Sequence, residues 1–287
     1  MNLTETKTKA KTEFDLKLSS GRIRIRRIGS SKAPLVIMVH GLSSHMHAFD
    51  FFLEKLATPD RQVVLIDLRG RGRSEVTPNG TYGLESHCRD VLEVATLLGA
   101  QRFSLVGWSI GALIGIVAAN LAPHRIRHLV LVDHAGKMDA EAVAAVVRGL
   151  DRLDVVVPKP SDYVEIIRAN GGITPWSDFW ERYYRYELGP YGSDYKATTS
   201  KSACMEDLKS AERDDWPLLW RGITMPTLLI RCQTSLQGGF IVPESVRDEL
   251  QKVVPDICTL ELACDHDSVM TSLAASCAIH IFINELY

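Results

Sequence analysis

The pentapeptide Gly107-Trp108-Ser109-Ile110-Gly111 lies between an apolar run at 103–106 and a run of small and apolar residues at 112–121. No other stretch narrows the choice of fold as much. A short, near-continuously apolar run fits a strand buried on both faces of a sheet, and the small-residue run fits a helix packed closely upon it. The chain must then reverse within a few residues. A serine at such a corner takes a strained backbone that turns its hydroxyl outward, and the flanking glycines remove Cβ atoms that would strike strand and helix. The helix start adds N–H groups and a positive dipole end beside that oxygen. The spacing predicts Ser109 as a nucleophile, against the plainer reading of a tight turn.

Runs at 35–39, 63–66, 129–132 and 227–230 repeat the apolar pattern, as parallel strands covered on both faces require. Helical spacing appears between them at 48–57, 84–98, 110–121, 243–253 and 268–286. The alternation predicts an α/β chain with a doubly wound, mostly parallel sheet. Ahead of it, 14–18 and 22–28 alternate apolar and polar residues around Ser19-Ser20-Gly21, the mark of an antiparallel hairpin with Ile23 and Ile25 inward. Arg22, Arg24 and Arg26 then face outward as solubilising charges. The alternation fails once, across 137–220, a gap too long for an ordinary connection. That stretch reads as an inserted helical lid, beginning with an amphipathic helix at 140–153. The predicted division is a disordered leader at 1–12, a core at 13–136 and 221–287, and the lid at 137–220.

With 46% hydrophobic and 24% charged residues in 287, the chain can bury a large core, and a net charge of -2 offers no field for nucleic acid or an anionic membrane. Six cysteines without a C-x-x-C pair suggest neither zinc nor a redox dithiol. The N-terminus has no apolar stretch of the kind that directs secretion, and no run is long enough for a bilayer. A cytoplasmic protein is expected, with a small molecule as partner and a homo-oligomer left open.

A nucleophilic serine needs a base, an acid to orient that base, and N–H donors for the oxyanion. His40-Gly41-Leu42 follows the run at 35–39, so the Leu42 amide can face the same corner as the Ile110 amide and form the oxyanion hole with it. Among nine histidines, His266 stands after a late strand at 258–262 and before the last helix. Parallel strands share one carboxyl edge, so His266 and Ser109 are expected on it. His45 and His47 either line the pocket or face water.

With these motifs in order, and Asp67-Leu68-Arg69-Gly70-Arg71-Gly72-Arg73-Ser74 between them, the chain resembles the α/β-hydrolase fold family from about Phe14 onward. The resemblance implies a serine hydrolase and makes Asp67 a structural turn residue. Ser109 stands where relatives with an aspartate nucleophile carry theirs. In most relatives the acid follows the strand here at 225–231, but 232–239 holds no carboxylate. One branch, similar to hydrolases of small metabolites, places the acid at the end of the preceding strand, and Asp133 occupies that slot here. Glu244 is the alternative acid.

The lid carries Trp176, Phe179, Trp180, Tyr183, Tyr184 and Tyr186, with Arg168, Arg182 and Arg185 among them. Together with Trp108, the residues Arg168, Trp176, Trp180 and Tyr183 are expected to hold a cyclic or aromatic, anionic substrate, unless the rings pack on each other and the arginines face water. The expected reaction is hydrolysis of a small carboxylic ester or lactone, with amides as an extension. Carbon–carbon bond hydrolysis, cofactor-free lyase or oxygenase chemistry and a ligand receptor are the rivals. Nothing in the spacing implies a metal, nucleotide or flavin.

Overall fold

The apolar runs become the inner strands of one eight-stranded sheet in the computed structural model, which describes residues 11–284. Strands β1 (Lys11–Leu18) and β2 (Gly21–Ile28) form the hairpin, followed by β3 (Leu35–Val39), α1 (Leu53–Leu56), β4 (Gln62–Ile66) and α2 (Leu84–Leu97). Next come β5 (Phe103–Trp108), α3 (Ile110–Leu121) and β6 (Ile126–Val132). The inserted segment holds α4 (Ala140–Gly149), β7 (Val156–Val157), α5 (Pro160–Ala169), α6 (Asp178–Glu187), β8 (Leu188–Tyr191), β9 (Asp194–Ala197), α7 (Lys201–Ala211) and α8 (Trp216–Trp220). The chain then returns through β10 (Thr227–Cys232), α9 (Glu244–Val253), β11 (Cys258–Leu262) and α10 (Leu273–Asn284).

The strand order is β1-β2-β4-β3-β5-β6-β10-β11. Strand β2 runs antiparallel to β1 and β4, and the strands from β4 to β11 are parallel to their neighbours. Alternate residues feed two cores: Ile37, Val39 and Leu105 face α2 and α3, while Val36, Met38 and Val106 face α10 and the inserted segment. A period of two with both faces covered explains why these runs are almost entirely apolar. The winding reverses between β3 and β5, so a crevice opens beyond their carboxyl ends.

Several expectations change in detail. Strand β1 begins at Lys11 and Thr12 pairs with Arg27, so the leader cannot extend to residue 12; residues 1–10 lie outside the described part. Arg26 is buried and donates to Asp50 Oδ1 at 2.6 Å, because the segment after β3 folds over that face of β2. It does not face water. The helix expected at 48–57 is a 3-10 turn, Met46–Phe49, and the short α1. The final helix is broken at Ser272, whose hydroxyl accepts from the Ala275 N–H at 3.2 Å and starts α10 afresh. The amphipathic helix stops at Gly149 and continues as a 3-10 turn, Leu150–Asp154.

The inserted segment adds a three-stranded antiparallel sheet, β7-β9-β8, to the expected helices. Its later part lies against the core: His87 of α2 bonds Asp207 of α7, and Asn120 of α3 donates to Leu219 O. Only the part through α6 reaches over the carboxyl edge. Among the described residues no helix is long and apolar enough to cross a membrane.

Candidate active site

Ser109 joins β5 to α3 with φ 56° and ψ -126°, a left-handed backbone that costs a non-glycine residue energy unless its surroundings enforce it. Here they do. A Cβ on Gly107 would lie 2.1 Å from Gly111 O, and one on Gly111 would lie 2.1 Å from Val39 O. Strand, corner and neighbouring strand thus touch backbone to backbone, and the Ser109 N–H donates to Val132 O at 2.9 Å.

Asp133 stands just past β6, also at positive φ (48°), with its N–H on Ile230 O at 2.8 Å. One carboxylate oxygen accepts from the Cys232 N–H at 2.8 Å, and the other lies 2.8 Å from His266 Nδ1. That leaves Nε2 of His266 for the cavity that His266 and Ser109 both line. The His266 ring lies 5.3 Å from the Trp108 ring, and its carbonyl accepts from Trp108 Nε1 at 3.2 Å. Burial opposes a charge on His266, but Asp133, helped by Asp267 and Asp265, raises its pKa above the usual 6.5. The imidazole is therefore a stronger base than a free histidine. Glu244 is exposed in the first turn of α9, and Asp133 takes the place beside His266.

The loop after β3 is tied at three successive carbonyls. Gly41 O accepts from His40 Nδ1 at 2.8 Å, Leu42 O from Arg71 Nε at 2.9 Å, and Ser43 O from Arg152 Nη2 at 2.9 Å. His40 Nε2 accepts the Leu68 N–H at 3.0 Å, which assigns the proton to Nδ1. Burial lowers its pKa to about 3, so His40 is a neutral brace. A Cβ on Gly41 would lie 3.3 Å from Ser109 Cβ; the loop carrying the Leu42 amide therefore abuts the serine, beside the free N–H groups at the start of α3. Asp67 accepts from the N–H groups of Met46 and Arg73 at 2.8 Å and from Tyr186 Oη at 2.9 Å, a structural role.

Over this edge lies a cavity of about 660 Å³. Trp108, Trp180 and Tyr183 line it, as do Leu42, Ser109 and His266. Arg168 does not; it is exposed on α5, because the buried face of that helix is Tyr163, Val164 and Ile167. Trp176 stacks on Tyr184 at 5.9 Å and lies outside the lining. His45 is buried beneath Tyr183, with ring centroids 4.2 Å apart and Nε2 bonded to Tyr183 O at 3.0 Å, and His47 pairs with Asp50. Neither lines the cavity nor is simply solvated.

Sequence reasoning missed Arg148, Arg152 and Asp267, all of which line the cavity. Arg152 also donates to Glu187 Oε1 at 2.7 Å, and Glu187, fully buried, accepts from Tyr163 Oη at 2.8 Å. Asp267 was signalled by its place beside His266; burial first, then Asp265, raises its pKa, while His266 opposes. The two arginines close an amphipathic stretch and carried no comparable signal. Among the described residues no group of three or more His, Cys, Asp or Glu side chains is placed to hold a metal ion.

Comparison with known proteins agrees with this fold. A sequence model described as alpha/beta hydrolase fold matches residues 34–273. The chain is 28% identical to 2-(acetamidomethylene)succinate hydrolase of Mesorhizobium japonicum, over 75% of this chain and 76% of that protein. It is 32% identical to an esterase of Mycobacterium tuberculosis, over 41% of this chain and 38% of that one. The crystal structure of E-2-(acetamidomethylene)succinate hydrolase superposes with a TM-score of 0.86 at 21% identity, covering 96% of this chain and 100% of the other.

Proposed function

The chain belongs to the α/β-hydrolase fold family, and from that premise we propose that it hydrolyses small carboxylic esters or lactones through an acyl-enzyme on Ser109. The observation that carries this reading is the strained Ser109 corner opening onto the same cavity as a His266 ring held at 2.8 Å by Asp133. In the proposed cycle Ser109 Oγ attacks the carbonyl carbon while His266 Nε2 takes its proton. The oxygen that gains charge is held by the N–H groups of Leu42 and Ile110. His266 hands the proton to the leaving oxygen, whose bond to the acyl carbon breaks. A water then gives its proton to His266 and attacks the acyl-enzyme, and Ser109 leaves with that proton. Asp133 holds the ring in the required tautomer and balances the charge of each imidazolium.

The lining supports a small substrate with an apolar body. Trp108, Trp180 and Tyr183 offer ring faces, and Arg148 and Arg152 offer donors to a carbonyl or carboxylate. A second reading, amide hydrolysis, is favoured by the relative whose name contains an acetamido group. The same residues serve it, since protonated His266 can supply the departing nitrogen.

The test is labelling with a fluorophosphonate, followed by turnover of matched p-nitrophenyl esters, lactones and amides with product analysis. Ser109→Ala should abolish labelling and lower turnover by several orders of magnitude. Near-wild-type hydrolysis by that variant would end the reading. Faster turnover of amides than of esters would move the substrate class to the second one.

A further inference from the structure

The cysteines lack sequence spacing for redox chemistry, but the sheet brings two of them together behind the site. Cys232 ends β10, and Cys264 lies two residues beyond β11. Their sulfurs are 3.8 Å apart, and both are free thiols. Each is tied to one member of the site: the Cys232 N–H holds Asp133 Oδ1 at 2.8 Å, and Cys264 is two residues before His266. We propose that Cys232 and Cys264 are a site of oxidative modification, closed to a disulfide by a peroxide, and that closure displaces His266 relative to Asp133 and silences the site.

The two thiols differ in the way such chemistry needs. Cys264 is half-buried and Cys232 is buried. Contact with the Cys232 thiol lowers the Cys264 pKa against the effect of its own burial, so Cys264 is the better nucleophile. Its sulfur attacks one oxygen of hydrogen peroxide, the O–O bond breaks, and a sulfenic acid and one water form. Cys232 sulfur then attacks the sulfenic sulfur, and the second water leaves with the Cys232 proton. Two thiols are oxidised by two electrons, and one peroxide is reduced to two waters.

A disulfide requires the sulfurs to approach to about 2.05 Å. From 3.8 Å, that closure must be taken up by the end of β10 and by the turn through Cys264, where Thr234 N–H donates to Cys264 O at 3.1 Å. Both lead directly into the Asp133–His266 contact. A displacement of about 1 Å in such a contact can cost on the order of 100-fold in rate.

The bond is independent of the serine chemistry; its effect on activity rests on the function proposed above. The experiment treats reduced full-length protein with hydrogen peroxide and follows intact mass, peptide mapping and fluorophosphonate labelling of Ser109. The expected result is a loss of about 2 Da, a mapped Cys232–Cys264 link, and labelling slowed roughly tenfold or more, all reversed by dithiothreitol. Cys264→Ser and Cys264→Ala should label at the wild-type rate before and after peroxide. Absence of the link, or a link that leaves labelling unchanged, overturns the proposal, as does equal inhibition of the Cys264 variants. Failure of the reduced wild-type protein to label at Ser109 would instead defeat the serine reading, with the mass and mapping still deciding the link.

Discussion

At the residue scale, the contact between His266 and Asp133 sets the pH behaviour. His266 can accept the Ser109 proton only when neutral, and its pKa is raised above 6.5, so activity should rise with pH through a midpoint above that value. The charged pair stabilises the fold below the unfolded pKa, and this contribution is lost as pH rises through the folded one. The active form is thus the one that has given it up. Asp133→Asn should move the acidic limb of the rate profile downward and cut kcat by on the order of 10⁴-fold, as measured on any ester that the wild type turns over. An unmoved limb would exclude Asp133 as the partner. Ser109 and Asp133 were legible in the sequence because each follows a buried strand, where an apolar run ends in a polar residue, whereas His266 was legible from its place between the partly exposed β11 and the last helix. Arg168 and Trp176 were misread for the opposite reason. Arg168 sits on a helix with two mixed faces and Trp176 in the loop before α6, and which side of either meets the cavity depends on packing that no local pattern records.

At the scale of elements, the corner at Ser109 and the cover above it fail in different ways. Gly111→Ala would drive a Cβ into a backbone carbonyl at 2.1 Å, whereas Gly115→Ala, one turn later, meets only the tip of Leu129 at 2.7 Å. The first should prevent folding to the native state. The second should cost about 1–3 kcal/mol, less whatever helix propensity alanine returns. Urea unfolding compares the two. In the cover, Arg152→Ala leaves Glu187 buried without its cation and releases Ser43 O, so a loss of about 3–5 kcal/mol and a fall in kcat are expected together. Glu187→Gln should be milder. Unchanged stability in Arg152→Ala would show that the pair does not seat the cover. The five inner strands were readable from the apolar runs and the hairpin from its alternation, but the small sheet β7-β9-β8 was not. Its strands have two to four residues and mixed burial, too short for a period of two to appear.

At the scale of the molecule, a buried cluster joins the insertion to the core: Asp207 of α7 meets Arg71 after β4 and His87 of α2. Burial disfavours the Asp207 carboxylate, but the charge of Arg71 and the contact with His87 outweigh it and lower its pKa to about 2. A depressed carboxylate stabilises the fold above its unfolded pKa of about 3.9 and loses that contribution as pH falls toward the folded value. Stability should therefore decline between about pH 4 and pH 2, and Asp207→Asn should flatten that decline while lowering stability at neutral pH. A decline unchanged by the substitution would place the acid sensitivity elsewhere. The floor beneath the cavity is fitted carbonyl to glycine at Gly107 and Gly111, with Gly41 set against the Trp108 ring and the Ser109 Cβ, which leaves it no freedom to change shape. Any diversification of substrate preference must then come from the roof. Laboratory libraries confined to roof positions such as Val146, Ile173 and Tyr184 should yield altered chain-length selection, whereas libraries in the floor should yield mostly dead clones.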